Sequence, residues 1–498
     1  MPPLSVLAAL DFPCHSRACA RPTHRAGATI FHLSASREQL GVVCIPTAAA
    51  ATEISSASRT CSSLASPLQC RRRLPGDGMA KDRISALPDG VREHLLSFLP
   101  AHEGVRTSVL ARSWRDLWTR SPALHITCWG TAAKFSEFVS RLLQHRLPRP
   151  ASTASWAPLD SCQFDFDADE EEELDAALLD MALVDGWIRS ALRCNVQDLV
   201  IDFYHGYCTG DRLELEPGAL ASEHLTKIHL FGVYVCDDID FSACPALLDL
   251  GIDTSDLVPK EIRSQSLQRL SITNCCFGAV KRTRIRAPNL LSFNLKDCLN
   301  RAPLLQRMPS LISATVQLDQ CHASDQCYTG NIRGCGTCDG CVDYYGPHND
   351  HRTCLLLNGL AEARNLELLA HPDLFIYRRD IKCCPTFWNL KTLVLTDWFV
   401  AEDFSGLIWF LQNSPILEKL TLQISEVQTD SVRTEGKFKH LEPSVVSDRL
   451  KTVEIKCREV DAMVIKILNV LAASGIPLEK INIQSSPIRS GCEFLFTQ

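Results

Sequence analysis

The sequence predicts an α/β chain in which a short module of three helices precedes an irregular solenoid of strand repeats. The pattern L-x-x-L-x-L, with Val, Ile, Phe or Ala also allowed, returns eleven times between residues 196 and 483. Except for one gap of 55, successive returns are 20–33 residues apart, a spacing typical of leucine-rich repeats. Residues 82–120 differ, because their apolar residues recur at helical spacing.

Length, composition and charge narrow the class of protein. A chain of 498 residues is long enough for two or three domains or for one long repeat array. Its net charge of −7 argues against nucleic acid as a partner. No apolar stretch reaches the roughly 18 residues of a membrane span, so no membrane association is expected. The 24 cysteines occupy scattered apolar positions, and no Asn-x-Ser/Thr acceptor occurs. A reducing compartment is therefore favoured over secretion.

Residues 1–78 have a different composition from the rest. They contain eight arginines, no lysine and four acidic residues, and they are rich in Ala, Ser, Pro and Cys without a sustained period. We expect this extension to be disordered. An organelle transit peptide has a similar composition. An upstream extension before a start at Met79 is the favoured interpretation, because the patterned module begins directly after that residue.

Residues 79–122 are predicted to be a separate helical module. Asp89 is expected to cap a first helix, with Val91 and Leu99 on one apolar face, and Pro100 is expected to end it. Two further short helical segments follow. A unit this small has little interior. Its apolar face is therefore expected to dock on the following domain or to bind another protein, with a generic helical cap as the alternative.

This module resembles the F-box, in its plant form. The matching segments are "DRISALPD" at 82–89, "LLSFLP" at 95–100, "VRTSVL" at 105–110 and "SWRDLW" at 113–118. In that family the module binds a Skp-type adaptor, which joins it to a cullin-based (SCF) ubiquitin ligase. The resemblance implies adaptor contacts at Ile84, Leu87, Pro88, Val91, Leu95, Leu99, Val109, Leu110 and Trp114.

Three residues depart from the pattern of this family. Arg92 and His94 stand where leucine and isoleucine are common, and His102 stands where lysine is usual. These differences are expected to weaken adaptor binding without removing the Leu-Pro pair or the tryptophan. The expected mode of binding is apolar helices laid in a complementary groove, with aromatic anchors.

Residues 196–440 are predicted to form the leucine-rich repeats. Their leucines should point into one continuous core, which leaves the alternate residues facing outward on the concave side. These outward residues are polar and of mixed charge: Lys227, His229, Arg269, Thr273, Asn294, Lys296, Thr315, Gln317, Lys419, Gln423, Glu454 and Lys456. Such a surface is the usual partner-binding face of a solenoid. Arg269, Lys296 and Lys419 are the residues predicted to contact a target protein.

Two segments flank the repeats. Residues 123–195 are interpreted as a linker and helical cap, with an acidic run at 165–173 that precedes a helix. An acidic docking patch is the less favoured interpretation of that run. Residues 441–498 read as strand, helix, strand and resemble the FBD region that follows the repeats in many plant F-box proteins. They are expected to close the open end of the solenoid.

Residues 320–353 form a cysteine-rich insertion within the repeats. Cys335, Cys338 and Cys341 have the C-x-x-C-x-x-C spacing of zinc ligands. The usual signature contains two such pairs, however, and only one tight cluster is present. An insertion with incidental cysteines is therefore favoured over a zinc site, and a redox role is the least favoured interpretation. Otherwise no cofactor is expected.

The sequence thus predicts the target-recognition subunit of an SCF-type ubiquitin ligase. Its F-box would bind the Skp adaptor and through it a cullin, and its solenoid would bind an unidentified target protein. The alternative is a repeat scaffold that does not join a ligase. No P-loop, H-E-x-x-H or G-x-S-x-G motif occurs, so no catalytic residue is expected. The predicted location is the cytoplasm or the nucleus.

Overall fold

The computed structural model describes ten ranges of the chain. These ranges are 84–147, 158–166, 180–203, 213–215, 220–278, 282–318, 354–370, 376–400, 404–424 and 449–485. All of them belong to the second of two compact units, Met79–Gln498; the first unit is Met1–Gly78. The predictions for residues 1–78 therefore lie outside the described residues.

Within the described ranges, 13 strands form one parallel main sheet, in which each strand pairs with the next strand of that sheet along the chain. These strands are β1 Ala123–Thr127, β2 Ser161–Asp165, β3 Asp198–Asp202, β4 Lys227–Phe231, β5 Asp249–Asp253, β6 Arg269–Thr273, β7 Ser292–Lys296, β8 Ser313–Leu318, β9 Asn365–Ala370, β10 Thr392–Thr396, β11 Lys419–Gln423, β12 Thr452–Cys457 and β13 Ile481–Ser485. All eleven returns of the leucine pattern contribute a strand, so the predicted solenoid is confirmed.

The side chains of each strand alternate between the core and solvent, as the period of two requires. In β6, for example, Leu270 and Ile272 are buried, whereas Arg269, Ser271 and Thr273 are not. The leucine that begins most repeats is buried as well, from Leu225 to Leu450. The face of the main sheet opposite this core is called the outer face below. All twelve residues predicted to face outward lie there, and none of them is buried.

The connections between strands differ with repeat length. The short repeats between residues 213 and 305 add two small parallel sheets of four strands each. One consists of Leu213–Glu214, Val233–Val235, Asp256–Leu257 and Cys276–Phe277, and the other of Ile239–Asp240, Glu261–Arg263, Arg284–Arg286 and Leu304–Leu305. Longer connections contain helices instead. The described α-helices are α1 Asp89–Leu96, α2 Ala101–Arg106, α3 Ala132–Arg146, α4 Met181–Leu192, α5 Leu357–Leu360, α6 Ile376–Asp380, α7 Ser405–Asn413 and α8 Ala462–Ala473.

A left-handed residue follows each strand from β4 to β7. Gly232, Thr254, Asn274 and Asp297 occupy this position, each with φ between 47° and 69°. The turn sends the chain away from the main sheet and towards the short strands. Because the left-handed residue recurs at equivalent positions, these four repeats have the same backbone conformation after the strand. The leucine pattern did not predict this turn.

Buried cysteines stand just after two of these turns. The thiols of Cys275 and Cys298 donate to the carbonyl oxygens of Ile252 and Ile272 in the preceding strands, at 3.6 and 3.7 Å. This is the asparagine-or-cysteine position of a leucine-rich repeat. Burial raises the pKa of Cys298 to about 12. The buried cysteines of these repeats, Cys244, Cys275 and Cys298, behave as the small core residues that the sequence predicted.

The structure differs from the predicted organisation before the repeats. Residues 123–195 are not a linker, because β1 and β2 lie within them and extend the main sheet by two strands. At the other end, β12, α8 and β13 form the predicted strand, helix and strand. Leu478 departs from the repeat pattern, since it lies in a short 3-10 turn before β13 and is exposed. None of the described helices is long and apolar enough to cross a membrane.

Candidate protein-binding interface

Exposed apolar side chains are concentrated in the helical module. Of the 16 large apolar side chains that are exposed among the described residues, seven lie between residues 84 and 110. They are called the exposed apolar set: Ile84, Val91, Leu95, Phe98, Leu99, Val109 and Leu110. Val109 and Leu110 are 85% and 71% exposed. Exposed apolar groups in such number mark a surface that binds another protein.

The module exposes these residues because its interior is small. Its core cluster consists of Leu96, Trp114 and Leu117, with Ala111 and Trp118 packed against it. Three short 3-10 helices, Thr107–Val109, Arg112–Trp114 and Leu117–Arg120, follow α1 and α2 and contribute most of this cluster. On α1, Val91 and Leu95 are one turn apart and share the face that points away from it. Six of the nine residues predicted to contact an adaptor belong to the exposed apolar set.

Leu87, Pro88 and Trp114 are the three predicted contacts outside that set. Leu87 is half-buried and Pro88 is exposed, directly before α1. Trp114 lies inside the module, only 7% exposed, and its Nε1 donates to Ser85 Oγ at 2.8 Å. The prediction that Trp114 contacts an adaptor stays a prediction, because its side chain lies mostly inside the module. Its indole supports the module from within.

Arg92 has a role that its departure from the family pattern did not suggest. Its side chain is buried, and its guanidinium lies 5.5 Å from the centre of the Trp114 ring. It also pairs with Asp89 and donates to the carbonyl oxygen of Ser113 at 3.3 Å. Asp89 is thus the first residue of α1, paired with Arg92, and not the cap that the sequence predicted. Likewise α1 ends at Leu96, before Pro100.

A second ion pair connects α1 to the end of the module. Arg120 Nε donates to Glu93 Oε1 at 2.5 Å, and the pKa of Arg120 is raised chiefly by this hydrogen bond. Because a guanidinium presents several donors in one plane, Arg120 also reaches Asp89, at 3.3 Å. These contacts hold the 3-10 turn at Leu117–Arg120 against α1.

The module is joined to the main sheet by buried contacts. Arg146 at the end of α3 donates to the carbonyl oxygens of Trp118 and Ser121, at 2.9 and 2.8 Å. Arg146 is itself only 3% exposed, and burial lowers its pKa. In addition, Ala101 of α2 packs in the core of the sheet, and Pro100 forms a bridge with His125 in β1.

The predicted target-binding residues lie on the outer face but on separated strands. Arg269 is on β6 and Lys296 on β7, whereas Lys419 is four strands further along, on β11. Four strand spacings correspond to roughly 19 Å. Arg269 Nε lies 2.9 Å from Asp249 Oδ2, and Lys419 Nζ lies 2.8 Å from Glu454 Oε1. Arg269 and Lys419 are therefore already paired across neighbouring strands.

His229 is an outer-face residue whose environment the sequence did not predict. Its ring lies over Gly251, the residue opposite it on β5. A Cβ atom at position 251 would lie only 2.5 Å from His229 Cδ2. Burial lowers the pKa of His229, although the nearby Asp253 acts in the opposite direction. The glycine in "LLDLGI" was the available signal for this close contact.

The proposed zinc ligands Cys335, Cys338 and Cys341 lie outside the described residues. Among the residues that the structure describes, no group of three metal-ligating side chains occurs. The zinc hypothesis therefore stays a prediction for the insertion alone.

The described part of the chain thus combines a helical module that carries an exposed apolar set with a sheet of leucine-rich repeats. The chain is 26% identical over 413 residues to the meiotic F-box protein MOF of Oryza sativa subsp. japonica, covering 75% of this chain and 80% of that protein. It is 25% identical to an F-box/FBD/LRR-repeat protein of Arabidopsis thaliana, covering 80% and 91%.

Another Arabidopsis thaliana F-box/FBD/LRR-repeat protein is 30% identical over 228 residues, which cover 39% of this chain and 46% of that protein. No family model matches the chain. The homologues of this chain are plant F-box and F-box/FBD/LRR-repeat proteins. The resemblance inferred from residues 82–120 and 441–498 is thereby confirmed.

Proposed function

We propose that this protein is the target-recognition subunit of an SCF-type ubiquitin ligase. Its exposed apolar set would bind a Skp-type adaptor and through it a cullin, and its outer face would bind the target protein. The observation that supports this most directly is the exposed apolar set, because it coincides with six of the nine adaptor positions implied by the F-box resemblance. The catalytic steps would be performed by other subunits, in the cytoplasm or the nucleus.

The effect of such a subunit is proximity. Binding a target on the outer face would hold its lysines near the ligase, at a high effective concentration. The buried contacts of Arg146 and Ala101 support this role, because they fix the adaptor-binding module relative to the first strand of the sheet. The outer face offers polar groups of both charges for recognition.

The adaptor contact can be tested by replacing the two most exposed residues of the set. Changing Val109 and Leu110 together to aspartate should leave the module folded, because neither side chain is buried. Loss of one central apolar anchor costs about 2 kcal/mol or more, roughly 30-fold in affinity. Calorimetric titration with a purified Skp-type adaptor should therefore show binding at least that much weaker.

A matched control carries the same change of charge elsewhere. Trp388 and Leu478 are 68% and 65% exposed and lie far along the chain from the module. Their double replacement by aspartate should leave adaptor affinity at the wild-type value. If the Val109 and Leu110 variant also binds like the wild type, the ligase proposal fails, and a repeat scaffold outside any ligase becomes the better interpretation.

A further inference from the structure

A cavity of about 940 Å³ lies beside the second of the two small sheets, away from the module. Its polar lining consists of two arginines and three carboxamides: Arg286, Arg307, Gln265, Gln306 and Asn358. Prolines, leucines and two cysteines form the rest of the wall. No carboxylate is among the described residues that line it, although acidic residues outnumber basic ones in the chain by 58 to 51.

Strand pairing places no acidic residue in register with Arg286 to balance its positive charge. It ends the strand Arg284–Arg286, where its neighbour in register is Arg263, and the neighbour of Arg263 is Asp240. Arg263 pairs with that aspartate. Arg286 is exposed, and among the described residues its guanidinium has no ion pair. A cation in this position is available for an external anion.

Arg307 lies at the edge of the same cavity, and its side chain is exposed. Its Nη2 lies 2.5 Å from Glu362 Oε1, and Glu362 Oε2 also accepts from Asn389 Nδ2 at 2.9 Å. A guanidinium has five N–H donors, so this single contact leaves others available. The contact with Glu362 thus leaves other N–H groups of Arg307 available for a second anion.

We propose that this cavity binds a phosphate group. Guanidinium groups bind phosphate oxygens through short, charge-assisted and often paired hydrogen bonds. A phosphate ester carries close to two negative charges at neutral pH. It can therefore pair with Arg286 and also accept from the N–H groups of Arg307 that Glu362 leaves available. The cavity volume falls within the usual range for small-ligand sites. The phosphate can belong to a small ester or to a phosphorylated side chain, and the site is independent of the proposed adaptor contact.

The test is a titration of the full chain with inorganic phosphate at constant ionic strength and neutral pH, followed by the phosphorus NMR line width. Wild type should show saturable binding, with acetate unable to compete. Arg286→Gln should weaken the affinity by roughly tenfold or more, the effect of losing hydrogen bonds to a charged group. Arg284→Gln is the matched control. Arg284 is exposed on the same face of the same strand, two residues away, and does not line the cavity.

Two results would overturn the proposal: no saturable binding by wild type, or equal losses in the two glutamine variants. The second result would mean that phosphate responds only to the net charge of the strand. If binding is confirmed, competition identifies the source of the phosphate. Tighter binding of a phosphoserine tripeptide than of glycerol phosphate would assign a phosphorylated protein, and the reverse order would assign a small ester.

Discussion

At the scale of single residues, the contact between His229 and Gly251 shows how one missing side chain sets the chemistry of another. The ring of His229 can lie half-buried over the sheet because residue 251 has no Cβ atom. Burial disfavours the charged imidazolium, so the pKa of His229 falls below its ordinary value of 6.5. Neutral His229 is thus part of the folded sheet.

Gly251→Ala should push the ring of His229 off the sheet into solvent. We expect the pKa of His229, followed by NMR, to rise towards 6.5, and the free energy of unfolding to fall by about 1–3 kcal/mol. In wild type, the contribution of neutral His229 to stability is full above the unfolded pKa and declines as the pH falls through the lower folded pKa. This decline should be weaker in the variant. An unchanged pKa would show that the glycine does not control the ring.

Residue types alone did not decide where the side chains of the F-box module would lie. The helical period placed Val91 and Leu95 on one face correctly, but it could not show that Trp114 would turn inward. The reason is competition for a small interior: a large aromatic ring excludes more apolar area from water than a leucine does. Arg92 then became buried because the ring offers a cation a favourable partner.

At the scale of secondary-structure elements, α5 depends on one buried carboxylate. Asp380 at the end of α6 accepts from the backbone N–H groups of Leu355, Leu356 and Leu357 at 2.9, 2.6 and 2.9 Å. It is completely buried. These donors begin the turn that leads into α5, where a helix leaves its N–H groups unsatisfied. One side chain therefore fixes the backbone that follows the cysteine-rich insertion.

Asp380→Ala should leave the three buried backbone N–H groups of residues 355–357 without their acceptor. Each unsatisfied group costs about 1–3 kcal/mol, so we expect a loss of roughly 3 kcal/mol or more in the free energy of unfolding by urea. Asp185→Ala is the control, because Asp185 forms an ion pair with Arg189 one helical turn away, and such pairs contribute about 0.3–0.5 kcal/mol. Equal losses in the two variants would contradict the assigned role of Asp380.

The leucine pattern predicted most strands but not their full number. Eleven strands follow the pattern. The segment of β1, "ALHIT", departs from it because Ser121 stands where the leucine that begins a repeat is expected, and β2, "SCQFD", departs because Cys162 stands at the second leucine position, although Leu159 holds the first. Their pairing became visible only when neighbouring strands were in place. The left-handed turn after β4 to β7 escaped prediction for a related reason, since glycine, threonine, asparagine and aspartate all occupy it.

At the scale of the whole molecule, the F-box and the main sheet share one junction centred on Arg146. Both carbonyl oxygens that it contacts belong to the end of the module, on either side of Thr119 and Arg120. A buried arginine with two such bonds is costly to remove, because both oxygens lose a charged donor. The carbonyl oxygen of Trp118 keeps the backbone N–H of Ser121 at 3.3 Å. The exposed apolar set and the outer face are in this way parts of one continuous structure.

Arg146→Met should loosen this junction while the repeats stay folded. We expect the backbone amides of residues 117–121 to exchange with deuterium at least roughly fivefold faster, since one lost bond of this kind costs about 1–3 kcal/mol. Arg141→Met is the matched control on the same helix, where Arg141 forms an exposed pair with Glu137 at 2.6 Å. Equal exchange in both variants would show that the junction does not depend on Arg146.

The free thiols behind the turns have a practical consequence. Cys275 and Cys298 stand in successive repeats, each buried and each hydrogen-bonded to the strand before it. A thiol in that environment is protonated and shielded, so an alkylating reagent modifies it only when its own repeat opens. The labelling rate of each cysteine, read by mass spectrometry, therefore reports the opening of one repeat without any introduced probe.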